Sequence, residues 1–250
     1  MNPTGRFANR AADYVAGRPS YPGAAIDALF EGLGDPREML VADIGAGTGI
    51  SSRLLAAHGA QVIAIEPNAK MREAAEPAVA GIEWRGTTGE ATGLEEASVD
   101  LVTAFQAFHW LEAHAALREF VRILRPGGRA AVVYNERDES EPFTAAYGAI
   151  VRRYAEDDTE KRRADALAAF RAFDGWHSPR RLTFRHDHIL DRDGVIARAR
   201  SSSYLPKDNP KGDLLRAELD DLIARSVCDG KVTMAIETIV VTGDVGGDGA

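Results

Sequence analysis

Short apolar runs alternate with amphipathic segments through the first two thirds of the chain. Residues 39–44, 61–66, 99–107 and 129–134 are apolar and strand-sized, and 82–86 is a weaker run. Runs of this length, bounded by turn residues, are typical of buried strands. The pattern therefore predicts five strands in this part of the chain.

Helical patterns lie between these runs. Apolar residues recur at i, i+3, i+4 and i+7 from Leu117 to Leu124, and this spacing predicts an amphipathic helix that Arg125-Pro-Gly-Gly128 ends. Residues 48–58 and 68–76 are also predicted to be helical, the second with Asn68 as its N-cap. Strands separated by helices indicate βαβ units on a parallel sheet with right-handed connections.

The last third has a different pattern. Residues 182–190 alternate as in a strand with one apolar face, Leu214 to Val227 has a helical apolar face, and 233–241 is rich in β-branched residues. We therefore predict an α/β, Rossmann-like fold. Its sheet would have seven mostly parallel strands, helices on both faces and an antiparallel C-terminal edge strand.

A glycine-rich turn follows the first strand, in Asp43-Ile-Gly-Ala-Gly-Thr-Gly49. Glycine permits a sharp turn and lets a ligand approach the main chain closely. A dinucleotide site needs its third glycine where Ile50 stands, and a phosphate-binding loop needs Gly-Lys-Ser/Thr, which is absent. The turn therefore indicates a nucleoside-like ligand without a diphosphate.

An acidic residue ends the second strand. Glu66 lies about 20 residues beyond the first glycine, where a carboxylate meets the ribose hydroxyls of an adenosine ligand. A carboxylate supplies two acceptor oxygens, which match a vicinal diol. The simpler interpretation is a solvated carboxylate at a strand end, but the coincidence with the glycine turn favours the diol.

Four further segments give the sequence a family resemblance. They are Val62-Ile-Ala-Ile-Glu66-Pro67, Gly89-Glu-Ala91, Ser98-Val-Asp-Leu-Val102 and Leu124-Arg-Pro-Gly-Gly128. Together with the glycine turn, these segments resemble class I S-adenosylmethionine-dependent methyltransferases. The stretch Ala12-Asp-Tyr-Val-Ala-Gly-Arg-Pro-Ser-Tyr-Pro22 and the stretch Gln106-Ala-Phe-His-Trp110 resemble the small-molecule subgroup that includes trans-aconitate methyltransferase-like, or type 11, enzymes. The resemblance covers residues 7–241.

The resemblance implies a cofactor site for S-adenosyl-L-methionine, with S-adenosyl-L-homocysteine as product. Asp43 would hold the methionyl ammonium, Glu66 the ribose diol, and Gln106 the methionine chain, while a lid segment would reach the cofactor carboxylate. The implied cofactor residues are Tyr14, Arg18, Asp43, Gly45, Ala46, Gly47, Glu66, Pro67, Met71, Glu90, Ala91 and Gln106. Asp43 could instead cap the following helix, and Tyr14 could simply pack.

The chain is expected to form one domain, residues 1–250, with several parts. Residues 1–35 would form lid helices, 36–136 the cofactor-binding core, and 137–230 the acceptor-site region with the sixth strand. Residues 231–241 would be the last strand and 242–250 a flexible tail. No Pro/Gly/Ser linker interrupts the chain.

The candidate catalytic residue is His109, which follows the fourth strand at the edge where open α/β sheets bind ligands. An imidazole suits proton transfer near neutral pH, although His109 could equally be a pocket wall. The expected acceptor-site residues are Tyr21, His109, Trp110, Trp176 and Tyr204. Five arginines could bind an anionic acceptor, but surface placement is the simpler expectation for Arg152, Arg153, Arg180, Arg181 and Arg185.

No metal site is expected. His186 and His188 stand two apart on one strand face, a spacing that can ligate a metal, but no third ligand is indicated. One cysteine, Cys228, excludes a disulfide framework. The net charge of −8 argues against a nucleic-acid partner.

The sequence thus predicts an enzyme that transfers a methyl group to a small-molecule acceptor. The subgroup resemblance favours O-methylation, including that of a carboxylate. Alternatives are C- or N-methylation with His109 as base, a non-catalytic adenosylmethionine-binding protein, and a nucleic-acid or protein methyltransferase. No apolar run is long enough to span a bilayer. The expectation is a cytoplasmic monomer or homodimer.

Overall fold

The computed structural model describes residues 19–75 and 81–246. Its strands are β1 (Leu40–Ile44), β2 (Gln61–Ile65), β3 (Ile82–Arg85), β4 (Val99–Phe105), β5 (Leu124–Arg137), β6 (His177–Leu190) and β7 (Val232–Asp244). Its helices are α1 (Gly23–Phe30), α2 (Ile50–Ala57), α3 (Ala69–Glu73), α4 (Ala113–Ile123), α5 (Pro142–Tyr154), α6 (Thr159–Ala172), α7 (Arg192–Ser201) and α8 (Pro210–Ser226). Short 3₁₀ turns lie at Pro36–Glu38 and Phe108–Trp110.

The seven strands form one sheet in the order β3-β2-β1-β4-β5-β7-β6. Neighbours among the first five run parallel, and β7 runs antiparallel to both β5 and β6. The predicted fold class is confirmed. One detail differs, since β7 is not at the edge: it lies between β5 and β6. Its residues Ile239, Val240 and Val241 are all buried, so both faces of this strand are covered.

Two boundaries differ from the sequence expectation. The Arg-Pro-Gly-Gly segment does follow the end of α4, but β5 begins at once at Leu124 and continues to Arg137. The strand β7 extends to Asp244, and Thr242 and Gly243 pair with Ala131 and Ala130. A tail starting at residue 242 is therefore wrong for 242–244, because β5 is long enough to pair with them. Residues 247–250 lie outside the described residues.

Helices cover the sheet on both faces. On one face, α1 and α2 pack on a cluster that includes Val41 and Val133. On the other, α4 and α6 contribute Phe120 and Phe170. A third cluster joins α5, α7 and α8 to the end of β7 that carries Ile236. This third cluster extends beyond the carboxyl end of β5 and forms one side of the candidate site.

In the part of the chain that the structure describes, no helix combines the length and apolar character needed to cross a membrane.

Candidate cofactor cleft and acceptor pocket

The glycine turn connects β1 to α2 at the carboxyl edge of the sheet. Gly45, Gly47 and Gly49 have φ angles of +67°, +59° and +80°. The N–H groups of Gly45 and Ala46 both donate to the Ile65 carbonyl, at 2.8 and 3.1 Å, and tie the turn to the end of β2. Residues other than glycine rarely adopt these angles, so the local backbone geometry explains the predicted turn.

Close packing also requires glycine at the first position. A Cβ on Gly45 would lie 2.5 Å from the Ala107 Cβ, and one on Gly47 would lie 3.4 Å from the Met71 Cε. Met71 is buried beside the turn, while Pro67 is exposed. The backbone of the turn therefore lies close to the ends of β2 and β4, with no room for a side chain at Gly45.

Glu66 lies directly after β2 and is 9% exposed. One carboxylate oxygen accepts the Asn68 N–H at 2.8 Å, and the other accepts the Gly47 N–H at 3.0 Å. Burial raises the pKa of Glu66, against these two N–H donors and the charge of Arg72, which lower it. Each oxygen keeps a further lone pair, so this carboxylate can still accept hydroxyl donors.

Asp43 is completely buried at the end of β1. Ser51 and Ser52, in the first turn of α2, each donate a hydroxyl to one oxygen at 2.6 Å, and Thr103 of β4 donates to the other at 3.0 Å. Burial raises the pKa of Asp43, and the hydroxyl donors oppose the rise. The alternative of a backbone N-cap is wrong, because the N-cap residue of α2 is Gly49 and has no side-chain bond. Asp43 instead joins two strands and a helix through hydroxyls.

The segment 89–91 follows β3. The Glu90 carboxylate accepts the Glu112 N–H at 2.9 Å, so Glu90 is bonded to the residue that precedes α4. Ala91 is exposed, and its N–H donates to the Thr88 carbonyl at 3.3 Å. The expected role of Glu90 and Ala91 at the adenine edge stays a prediction.

Gln106 follows β4 with φ +55°, one of the few described residues other than glycine in the left-handed region. Its N–H donates to the Val133 carbonyl at 2.8 Å, and its side-chain Nε2 donates to the Asn135 carbonyl at 3.1 Å. Strained conformations of this kind concentrate at functional sites. These bonds fix Gln106 in a wall between two cavities.

The first of these cavities, a cleft of about 460 Å³, lies beside the glycine turn. Its walls include Tyr21, Gly45, Ala46, Ser51, Phe105 and Gln106. Tyr21 packs edge-on against Phe105 with ring centroids 4.8 Å apart, so it belongs to this cleft and not to the second cavity. The predicted lid residues Tyr14 and Arg18 lie outside the described residues.

A second cavity, of about 670 Å³, adjoins the first and shares Gln106, Asn135 and Arg198 with it. Its lining includes three of the expected acceptor-site residues, His109, Trp110 and Tyr204. We call this cavity the acceptor pocket. Residues from β5, α5, α6, α7 and the segment after α7 line it, and the acceptor role of this region stays a prediction.

Trp176 does not line this pocket, so the prediction that it belongs to the acceptor site is wrong. Its indole N–H donates to the Phe170 carbonyl at 3.0 Å, and its ring packs 5.2 Å from those of Phe170 and Phe173. It precedes His177, which pairs with Asp244 opposite the start of β5. Trp176 is therefore a core residue at the opposite end of the sheet.

Three arginines that were not predicted as site residues line the pocket: Arg137, Arg163 and Arg198. Arg163 forms a short ion pair with Glu136 and donates to the Asn135 carbonyl at 3.1 Å. The Arg198 Nε–H donates to the Met234 sulfur at 3.1 Å. Of the three, Arg137 could have been predicted from the sequence, because it ends β5 and the carboxyl ends of the parallel strands meet at the site.

The helix arginines considered from the sequence lie elsewhere. Arg152 pairs with Glu139 and Arg153 with Glu218, each at 2.5 Å, on the outer side of α5. All four side chains are at least one third exposed. The simpler expectation of surface placement is therefore confirmed for these two arginines.

His109 lies in the 3₁₀ turn after β4. Its backbone N–H donates to the Tyr134 hydroxyl at 3.0 Å, and its Nδ1 lies 3.2 Å from the same oxygen. The His109 ring packs 4.7 Å from that of Trp110. These contacts place the imidazole in the pocket wall with a fixed orientation.

His186 and His188 are half-buried on one face of β6. The His186 Nε2 lies 3.1 Å from the Thr238 hydroxyl, and burial lowers the pKa of His188 to about 4. Among the described residues, no group of three or more His, Cys, Asp or Glu side chains is arranged to hold a metal ion.

Part of the chain is similar to known methyltransferases. Residues 42–132 match the family model described as a methyltransferase domain. The chain is 32% identical over 152 residues to an uncharacterized methyltransferase-like protein of Schizosaccharomyces pombe, covering 60% of this chain and 59% of that one. It is 37% identical over 147 residues to an uncharacterized methyltransferase of Mycobacterium bovis, covering 59% of each.

The fold has solved counterparts. A candidate type II methyltransferase from Anaeromyxobacter dehalogenans superposes with a TM-score of 0.71 at 20% identity, covering 92% of this chain and 99% of that one. This likeness shows the fold, and residues 42–132 are similar to a methyltransferase domain. It spans about three fifths of the length of the curated relatives it matches.

Proposed function

We propose that this protein transfers a methyl group from S-adenosylmethionine to a small-molecule acceptor held in the acceptor pocket. The observation that carries the proposal is the pair of adjoining cavities at the glycine turn, which share Gln106, Asn135 and Arg198. Adjoining cavities of this kind would hold a cofactor and an acceptor side by side, as an in-line transfer requires.

The residues present fit the cofactor. The turn residues Gly45 and Ala46 line the first cleft without a bulky side chain, and a Cβ at Gly45 could not be accommodated. Glu66 retains acceptor capacity at the position expected for a ribose diol. Gln106 would lie beside the methionine chain, and Pro67 and Met71 beside the adenine.

When bound, the cofactor supplies a methyl group on a positively charged sulfur; the acceptor's lone pair forms the new bond, and the carbon–sulfur electron pair stays on sulfur. The chain's own task is to align the acceptor and exclude water. Gln106 and His109 are held in fixed orientations by β5, which suits that task. Alignment of this kind can lower the activation barrier by about 7–11 kcal/mol.

O-methylation, including that of a carboxylate, is the reaction that we favour. The arginines Arg137, Arg163 and Arg198 line the acceptor pocket, and guanidinium groups suit anionic oxygens. C- or N-methylation with His109 as base is the second candidate, because His109 lines the same pocket.

Replacing Glu66 by glutamine is expected to weaken S-adenosylmethionine binding more than tenfold. The amide keeps the shape of the side chain, but it removes the charge and puts an NH₂ donor in place of one acceptor oxygen. A charge-assisted bond to a ribose hydroxyl is worth about 1.5–3 kcal/mol. Isothermal titration calorimetry of the cofactor into wild type and variant measures the change.

Glu73→Gln is the matched control, since Glu73 is exposed at the end of α3. Its affinity should equal that of wild type, and the melting temperatures of both variants report folding. No binding by the wild-type protein would contradict the proposal. Equal affinities of wild type and Glu66→Gln would remove Glu66 from the site.

A further inference from the structure

The sheet ends at a long strand that has no outer neighbour in the described part of the chain. β6 (His177–Leu190) pairs with β7 on one side, and the strand order ends with it. An unpaired strand edge presents backbone N–H and C=O groups that another strand can bond. We propose that two copies of this protein join through their β6 strands, which run antiparallel about a two-fold axis between the two Phe184 residues. This inference goes beyond the proposed function and does not rest on it.

The first step is the length of edge that can pair. Residues 180–190 of β6 are in unbroken register with β7, whereas the register shifts between His177 and Arg180. Ser178 lies inside this shift with φ +48°, and Pro179 has no N–H to donate. The strand at the other end of the sheet, β3, has only four residues. The regular part of β6 is therefore the longer of the two edges of the sheet.

The second step is the symmetry of such a pair. A two-fold axis perpendicular to the sheet keeps each face on its own side, so side chains of one face meet side chains of the same face. On β6, Leu182 and Phe184 are half-buried against the core. The residues that alternate with them are exposed: Arg181, Thr183, Arg185, Asp187 and Ile189. A self-complementary interface requires that this exposed row match its own copy in reverse order.

The third step concerns two opposite charges in the exposed row. Arg181 donates to the Thr183 hydroxyl at 3.1 Å, and neither Arg181 nor Asp187 forms an ion pair with another described residue. An axis between the two Phe184 residues places Arg181 of one copy directly opposite Asp187 of the other, and the symmetry repeats this pair. Opposite charges directly across two antiparallel strands stabilise the pairing.

The neighbouring registers lack this match. An axis at residue 183 would place Arg181 opposite Arg185, and an axis at residue 185 would place the two Arg185 side chains opposite each other. Like charges in these positions destabilise a strand pair. An axis at residue 186 would place Asp187 opposite Arg185, which is already paired with Asp138. It would also leave Arg181 opposite a residue beyond the end of β6. The axis at Phe184 is therefore the register that pairs both charges.

The same register has consequences for an apolar residue and for the candidate site. Ile189 is 61% exposed, and it would lie opposite Pro179 of the second copy. β6 runs parallel to β5, because both are antiparallel to β7. Reversal of β6 in the second copy therefore puts the two glycine-turn clefts at opposite ends of the joined sheet. Each cleft keeps the walls of its own chain, so dimer formation can be tested apart from cofactor binding.

Size-exclusion chromatography of the full chain with multi-angle light scattering tests the interface. We expect the wild-type protein to have twice the mass of a single chain. Asp187→Arg places like charges opposite each other in both pairs and is expected to halve that mass. Glu83→Arg is the matched control, because it makes the same change of charge at a side chain that is 60% exposed on β3, at the other edge of the sheet. The control should keep the mass of two chains.

Two outcomes of this measurement would overturn the inference. One is a wild-type protein with the mass of a single chain, and the other is an Asp187→Arg variant that keeps the mass of two chains. Titration of S-adenosylmethionine into Asp187→Arg should give the wild-type affinity, since the walls of both cavities come from other elements. A failure of the interface is therefore distinguishable from a failure of the proposed function.

The double variant Arg181→Asp with Asp187→Arg tests the register. It exchanges the two charges, so opposite charges again face each other when the axis lies at Phe184, and we expect the mass of two chains to return. With the axis at residue 186, the exchange would place like charges opposite each other at Arg185, and the dimer would not form. A double variant that melts as the wild type does but has the mass of a single chain would contradict the proposed pairing.

Discussion

Replacing Gly45 by alanine should lower the melting temperature by about 5–15 °C and abolish measurable S-adenosylmethionine binding. The left-handed backbone at this position costs a non-glycine residue about 1–2 kcal/mol. The added methyl group would also lie 2.5 Å from the Ala107 Cβ, and overpacking adds about 1–3 kcal/mol. In a chain of this size each kcal/mol corresponds to about 2–4 °C. Differential scanning calorimetry and titration with the cofactor measure both effects.

Gly230→Ala separates the two causes. Gly230 has a similar φ of +76°, but nothing lies within 4 Å of its Cβ position. This variant should show the backbone cost alone, about 1–2 kcal/mol, with normal cofactor binding. If Gly45→Ala melts at the same temperature as Gly230→Ala, the close approach to Ala107 is not what requires glycine.

Replacing Asp43 by alanine is expected to destabilise the fold by about 3–5 kcal/mol, because it removes the acceptor of a buried network. The hydroxyls of Ser51, Ser52 and Thr103 would lose their common partner. Asp43→Asn keeps an acceptor oxygen and the side-chain volume, so it should fold. Urea denaturation gives the free energies of unfolding.

The Asp43→Asn variant, compared with wild type, also tests what the charge of Asp43 does. Burial raises the pKa of Asp43, and a carboxyl whose pKa is raised in the folded state contributes stability at low pH that is lost as the pH rises through that value. The asparagine side chain has no proton to lose. The free energy of unfolding of Asp43→Asn relative to wild type should therefore increase as the pH rises above about 4, the ordinary aspartate pKa.

Two outcomes of that pH series are informative. A difference that stays flat with pH would contradict the raised pKa of Asp43. A loss of cofactor affinity in the folded Asp43→Asn variant would support the expected contact with the methionyl ammonium.

The features that could be predicted from sequence are local ones. The glycine turn, the strand that precedes it and Glu66 after β2 occupy one continuous stretch, and backbone geometry favours glycine where φ is positive. Asn68 illustrates the same point, since its side chain accepts the Lys70 N–H and caps α3 as predicted. Turns and helix caps of this kind can be predicted, because the residues that form them are close together in the sequence.

The acceptor pocket could not be predicted in the same way. Arg163 is on α6 and Arg198 on α7, and they meet Asn135 of β5 only through tertiary packing. The arginine-rich stretches gave no sign of which guanidinium faces inward, because α7 has no strong apolar face to orient it. Trp176 was misplaced for a related reason: a large aromatic residue near a turn suits a pocket wall and a core equally well.

The position of β7 between β5 and β6 has a consequence for how the chain is made. Asn135 of the pocket receives the hydroxyl of Thr238, 103 residues later, and Arg129 binds Asp244, 115 residues later. During translation, β1 to β5 leave the ribosome long before β7. The part of the sheet that these five strands form can therefore collapse while the edge of β5 still lacks its neighbour. Contacts so distant in sequence form slowly, and an unpaired strand edge attracts other chains. We therefore expect the nascent chain to depend on chaperones in the interval between the synthesis of β5 and that of β7.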